Sequence, residues 1–214
     1  MPVSKSPERC VTEARIVEAA AQLFARQGFK ATTTREIADL AAVNEATLFR
    51  YFVRKPDIFW AAIKSRLMNV RMSRELQSSL VETAAPDVTV EKIIRFYVES
   101  FIHQPELVRL LQVATLELPE SSAVIREHLG PIFDAITEYY RRCTAKGYIV
   151  EIDPSLAAFG LMALVAANQY LGELFTKGTA SDIASEKEIG SLSQLWLRAL
   201  KVVERGPDNY AYSG

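Results

Sequence analysis

The residues with the clearest chemical potential lie in one short stretch, EATLFRYF at 45–52. Wound as a helix, it puts Leu48 and Phe52 on one side, Ala46 and Arg50 roughly opposite, and Thr47 and Phe49 on the flanks. If the apolar side is held against a core, the other edge is left to project. That edge offers a small residue, a hydroxyl, an aromatic ring and a guanidinium, which suit entry into a DNA major groove and contact with base edges. Groups suited to phosphate stand around it. Thr34 and Arg35 open the preceding helical stretch, where unpaired amides and a positive dipole end favour an anion, and Tyr51 and Lys55 flank the far end. Such contacts fix orientation and supply much of the affinity, while base contacts select sequence. The same stretch also suits two core helices of an ordinary bundle, with Arg50 merely solvated.

Local signals build the elements that position this edge. Ile16, Ala20, Leu23 and Phe24 follow i, i+4, i+7, i+8 spacing and predict a first helix, with Gly28 as its end and Phe29 placed for a Schellman contact. Thr33-Thr34-Arg35-Glu36 reads as a capping box opening a second helix to about Ala41. That helix is expected to bury Ile37, Leu40 and Ala41, with Ala38 small enough for a close crossing. Asn44 caps a third helix ending near Phe52, and Lys55-Pro56-Asp57 starts a fourth, expected to run to about Leu80. TAAPDVT (83–89) reads as a linker. Further helices are expected near 90–103, 105–117, 121–146, 154–176 and 186–204, with Gly130-Pro131 kinking or splitting the third of these. Lys146-Gly147 closes that one, Asp153-Pro154 opens the next, and 176–185 reads as a flexible connection. No alternating strand pattern appears, so the fold class is all-α.

Composition bounds the function. The 214 residues are 49% hydrophobic and 24% charged, with a net charge of −1, as in a soluble globular protein with a substantial core. The charge is uneven: residues 1–55 carry nine basic and six acidic side chains, leaving the remainder at −4. That sign suits an N-terminal part that meets a polyanion. Cys10 and Cys143 show no metal or redox spacing, and the first thirty residues hold no apolar signal segment, so a cytoplasmic setting is expected. The apolar run 156–167 is too short to cross a membrane.

An enzyme would need a catalytic set, and little is available. His103 and His128 belong to no Glu-x-x-His pair, and no nucleophile elbow, P-loop or dinucleotide-binding glycine pattern occurs. Neither cofactor nor metal is expected.

The segment 29–59, FKATTTREIADLAAVNEATLFRYFVRKPDIF, resembles the helix-turn-helix signature of the TetR/AcrR family of bacterial transcriptional regulators. Thr32, Thr33, Arg35, Glu36, Ile37 and Ala38 match its first half; Val43, Asn44, Thr47, Leu48, Phe49, Tyr51, Phe52 and Lys55 match its second. The resemblance implies a three-helix DNA-binding domain at 1–55, a helical effector-binding and dimerisation domain at 56–206, and a disordered tail at 207–214. It further implies a homodimer on a palindromic operator, most simply a ligand-responsive repressor. The DNA-facing set is then Thr34, Arg35, Asn44, Glu45, Ala46, Thr47, Phe49, Arg50, Tyr51 and Lys55.

Three positions depart from the family's habit. Ala42 stands where glycine is usual, at a cost of about 1 kcal/mol if positive φ is needed. Glu45 stands where lysine is common; it would repel phosphate but could accept from a cytosine amine. Ala46 replaces a second glycine. A helical protein-interaction module that has lost DNA binding is the alternative these departures keep open.

In the C-terminal part, the resemblance implies that the last two helices pair across a two-fold axis, and Gly160, Ala163, Ala167, Leu192, Leu195, Trp196 and Ala199 suit that pairing, although many of these must also complete the monomer core. The resemblance also implies an effector pocket among the helices after the linker, with Phe96, Phe101, Leu110, Phe133, Tyr140, Phe159, Met162 and Asn168 as candidate lining for a small apolar or aromatic ligand, although an aromatic stripe of this kind also suits plain core.

Overall fold

Helix α1 (Pro7–Ala31) is built on the stripe its spacing predicts, with Ile16, Ala20 and Phe24 fully buried. Gly28 breaks the helical path at φ 83°, ψ 174°. A Cβ there would also lie 2.8 Å from Oε1 of Glu117, whose carboxylate accepts the N–H groups of Phe29 (3.3 Å) and Lys30 (2.8 Å). The torsion therefore favours glycine, and a side chain there would also displace the Glu117 carboxylate. Phe29 then packs on Phe24 and Phe59, with ring centroids 5.6 and 5.4 Å away.

This computed structural model describes residues 7–82, 84–118, 122–175 and 186–200; the side chains of 101, 102, 122 and 169–175 lie outside that description. Among the described residues every regular element is a helix: α2 (Thr34–Leu40), α3 (Glu45–Tyr51), α4 (Lys55–Leu67), α5 (Arg74–Glu82), α6 (Pro86–His103), α7 (Pro105–Glu117), α8 (Ser122–Ala145), α9 (Pro154–Phe175) and α10 (Glu186–Ala199). The all-α expectation holds. The expected flexible connection at 176–185 and the tail at 207–214 lie outside the described residues.

Two compact units emerge, Met1–Arg71 with His103–Pro131, and Met72–Ile102 with Ile132–Gly214. In the first, α1, α2, α3 and α4 share one core with α7, including Leu107, Leu110 and Ala114. Arg66 of α4 bonds Glu18 of α1 and Glu106 of α7, each at 2.8 Å. In the second, α9 and α10 run antiparallel, with Gly160 against Trp196 and Asn168 donating to Glu188 at 2.9 Å. Ala157, Ala158, Leu161 and Val165 of α9 and Ile189 and Leu192 of α10 are buried.

Several expectations need correction. The fourth helix does not reach Leu80. It stops at Leu67; the amides of Asn69 and Val70 fall back to i−3 carbonyls, and Ser73 starts α5 by accepting the N–H of Leu76 (3.1 Å). The linker is also shorter than 83–89, because Pro86 sits in the first turn of α6, where its missing N–H costs little. Gly130-Pro131 does not split α8, which continues through Pro131. Leu40 is 52% exposed. Ile37, Ala38 and Ala41 take the inner face of α2, and Leu40 lies roughly 100° from its centre.

Candidate nucleic-acid interface

The corner between α2 and α3 sets the site. Thr33 caps α2: its hydroxyl accepts the N–H of Glu36 (3.2 Å), and the Glu36 carboxylate accepts the N–H of Thr33 (2.8 Å). The Thr33 backbone N–H and hydroxyl, with Gln27, hold the Glu36 carboxyl below the usual carboxylate range. α2 then ends in a Schellman turn. Val43 N–H bonds the Ala38 carbonyl (3.0 Å), Ala42 N–H bonds that of Asp39 (3.1 Å), and Ala42 takes φ 51°. The positive φ that a glycine would adopt freely is thus imposed on an alanine. Arg15 of α1 donates to the carbonyls of Ala41 (2.5 Å) and Ala42 (3.1 Å), holding the turn from outside. Asn44 opens α3 by accepting the Thr47 N–H at 2.6 Å.

α3 is gripped along one edge. Leu48 is fully buried and Phe52 nearly so, in the same core as Ile37. Glu45, Ala46, Phe49 and Arg50 are exposed and form one continuous strip, with Thr47 and Tyr51 half-buried beside it. Phe49 is 46% exposed, a large apolar side chain left in solvent. The guanidinium groups of Arg50 and of Arg9, from the first turn of α1, lie over the Tyr51 ring at 5.9 and 5.6 Å. Glu8, Arg9, Thr12, Arg50 and Tyr51 line a concavity of about 350 Å³ at this edge. Arg9 was absent from the sequence-based set. Nothing in its spacing marks it, because only the packing of α1 beside α3 brings it there.

Other members of that set are placed differently. Arg35 is exposed at the start of α2. Thr34 is half-buried and its hydroxyl donates to Oε1 of Glu45 at 2.5 Å, so the two helix starts are tied together. Lys55 spends two of its donors on the carbonyls of Phe29 and Thr32, both at 2.8 Å, with its ammonium 4.3 Å from the Phe29 ring centroid. Burial pushes its pKa down, partly offset by Glu117. Its position in the structure is that of a clamp on the α1–α2 corner.

The residues expected to line an effector site do not all come together. Leu110 is buried in the core of the first unit, because α7 packs on α1 and α4. In the second unit Phe96 and Tyr140 are buried, Phe133 and Met162 half-buried, and Phe159 54% exposed. Phe101 lies outside the described side chains. Asn168 is bonded to Glu188. Tyr140 accepts the indole N–H of Trp196 at 3.0 Å, and Tyr139 donates to the Ala84 carbonyl at 3.0 Å. Burial pushes both phenols well above the ordinary tyrosine value. The Thr137 hydroxyl is buried with no hydrogen-bond partner among the described residues.

The expected dimer set also divides. Gly160 meets its own chain: a Cβ there would come within 2.7 Å of Cη2 of Trp196, so the missing side chain admits the indole. Leu192 is buried within the unit. Ala163 is half-buried, whereas Ala167, Leu195 and Ala199 are exposed, as are Leu156 and Phe159.

Residues 16–62 match the family model described as bacterial regulatory proteins, tetR family. The HTH-type transcriptional regulator YvkB of Bacillus subtilis (strain 168) is 45% identical over 58 residues, covering 27% of this chain and 31% of YvkB. The HTH-type transcriptional repressor SCO4008 of Streptomyces coelicolor is 25% identical over 168 residues, covering 76% of this chain and 79% of that protein. The chain thus spans less than a third of YvkB but most of SCO4008. Among solved structures, the fatty acid degradation regulator FadR from Bacillus halodurans superposes with a TM-score of 0.64 at 21% identity, covering 94% of this chain and all of the other. That likeness is one of fold. These relatives are regulators, not enzymes.

Proposed function

We propose that this chain, whose residues 16–62 match the family model of the tetR bacterial regulatory proteins, is a ligand-responsive repressor of that family binding a palindromic operator as a homodimer in the cytoplasm. One observation carries the DNA-binding part. α3 is held by Leu48 and Phe52 on one edge and presents Glu45, Ala46, Phe49 and Arg50 on the other. Arg50 is the group to read a base, since its fork matches the O6 and N7 acceptors of guanine. Arg9, Arg35 and Tyr51 are suited to the flanking phosphates, and Lys55 contributes chiefly by fixing the corner.

In the dimer, the exposed apolar residues of α9 and α10 (Leu156, Phe159, Leu195, with Ala163, Ala167 and Ala199) are the surface to be covered. A DNA-competent pair must set its two α3 helices about 34–36 Å apart. The effector is apolar or aromatic, with a polar group to meet the buried Thr137 hydroxyl near Tyr140. The fatty acid regulator FadR, and FrrA, described as a flavonoid-responsive regulator, are neighbours whose descriptions fit ligands of that character. Coupling of such a ligand to operator affinity is reciprocal and typically about 1–3 kcal/mol. A single rigid helix over 57–80 cannot transmit it, because α4 ends at Leu67.

The test is duplex binding as a function of salt. We expect affinity to fall steeply as salt rises, through counterion release from phosphate contacts. Arg50→Ala should weaken operator binding by roughly 5- to 100-fold and relax preference at one base pair per half-site. A flat salt response would return the chain to the protein-interaction alternative.

A further inference from the structure

We propose that Glu45, held by Thr34, reads a cytosine in each half-site, an inference that rests on the DNA-binding reading above. Glu45 is the first residue of α3 and lies on its exposed strip, at the end of a recognition helix that approaches base edges most closely. A carboxylate offers acceptors only. In the major groove, guanine and thymine present acceptors, which a carboxylate repels, and adenine sets an N7 acceptor beside its amine. Cytosine presents an N4 amine without a neighbouring acceptor on the same base. It is the base edge that a carboxylate fits.

The tether makes this a positioned contact. Thr34 donates its hydroxyl hydrogen to Oε1 of Glu45 at 2.5 Å, across the corner between two helices that are themselves capped by Thr33 and Asn44. One carboxylate oxygen is thereby fixed to α2 and the other is directed by it. The same bond explains why Thr34 is a poor phosphate anchor: its donor is spent, and its partner is anionic. Glu45 and Arg50 are separated by about 7.5 Å of helix rise, near two base-pair steps of 3.4 Å, so cytosine and guanine readings can sit two base pairs apart.

The experiment is selection of duplexes from a random library by the full-length protein and by Glu45→Gln, with titrations over several salt concentrations. We expect the wild type to enrich a C·G pair at one position per half-site that Glu45→Gln no longer enriches. Replacing that pair should cost the wild type roughly 5- to 10-fold in affinity and the variant almost nothing. The salt slope should be the same for both, since no phosphate contact changes. Thr34→Val should keep the cytosine preference but reduce the discrimination a few-fold, with helicity unchanged. An equal gain in affinity for every sequence in Glu45→Gln would overturn the proposal, because Glu45 would then merely repel phosphate. A Glu45-dependent preference for another base would overturn it too. No salt-dependent duplex binding by the wild type would sink the DNA-binding reading and this inference with it, whereas binding with preferences unchanged in Glu45→Gln would sink this inference alone.

Discussion

Helices α2 and α8 end in the same hydrogen-bond pattern, yet different residues occupy the left-handed position. At the end of α8, Tyr148 N–H bonds the Cys143 carbonyl (2.9 Å), Gly147 N–H bonds that of Thr144 (3.0 Å), and Gly147 takes φ 66°. At the end of α2 the equivalent residue is Ala42, at φ 51°. Glycine reaches this conformation without a steric penalty; alanine pays roughly 1–2 kcal/mol. The α8 turn thus forms on its own local terms. The α2 turn is held by its surroundings: Arg15 grips its two carbonyls, and Leu48 on the following helix is locked in the core. A strained turn between the two helices of a reading head is tolerable where tertiary contacts over-determine it.

The largest way to break this comparison is Leu48→Ala. Removing a fully buried side chain should cost about 2–5 kcal/mol in urea unfolding and leave the strained turn without its anchor. Arg15→Ala should come next, at roughly 1–2 kcal/mol, with no effect on the α8 turn. The exchange of residue types sharpens the comparison. Ala42→Gly should stabilise the protein and Gly147→Ala should destabilise it, each by roughly 0.5–1 kcal/mol in thermal unfolding. Among the described residues beyond its chain neighbours, no atom lies within 4 Å of a Cβ at Gly147, so the torsion sets that value. If Ala42→Gly fails to stabilise, the alanine methyl makes a contact that outweighs its torsion.

The smallest effect is at the other end of α2. Glu36 has a lowered carboxyl pKa in the folded state, so its contribution is present above the unfolded value of about 4.3 and is lost as pH falls through the lower folded one. Glu36→Gln should flatten the acid limb of an unfolding profile in that window, by slightly lowering stability at neutral pH while leaving the strongly acid region almost unchanged.

How legible this molecule was depends on how local each signal is. The caps at Thr33 and Asn44 and the break at Gly28 depend on partners within four or so residues, and the shared face of Leu48 and Phe52 follows from helix spacing, so the sequence carried all of them. The stop at Leu67 differs from the expected run to Leu80 because α5 starts afresh at the Ser73 cap. Leu40 was misplaced because a two-turn helix buries only its innermost positions. Arg9 beside Tyr51, Glu117 on the Phe29 and Lys30 amides, and Thr34 on Glu45 depend on residues brought together from different helices. Such meetings leave no spacing to read.

The sequence by itself determined an all-helical chain with a helix-turn-helix near its start, because helix periodicity, capping and glycine stops are short-range and nearly context-free. Only the tertiary structure decided which small or polar residues were already spoken for. Gly160 admits the indole of Trp196 from its own chain, Leu110 joins the first unit's core, and Lys55 closes a corner. A side chain's type fixes what it can bond; only its neighbours in three dimensions fix what it does bond.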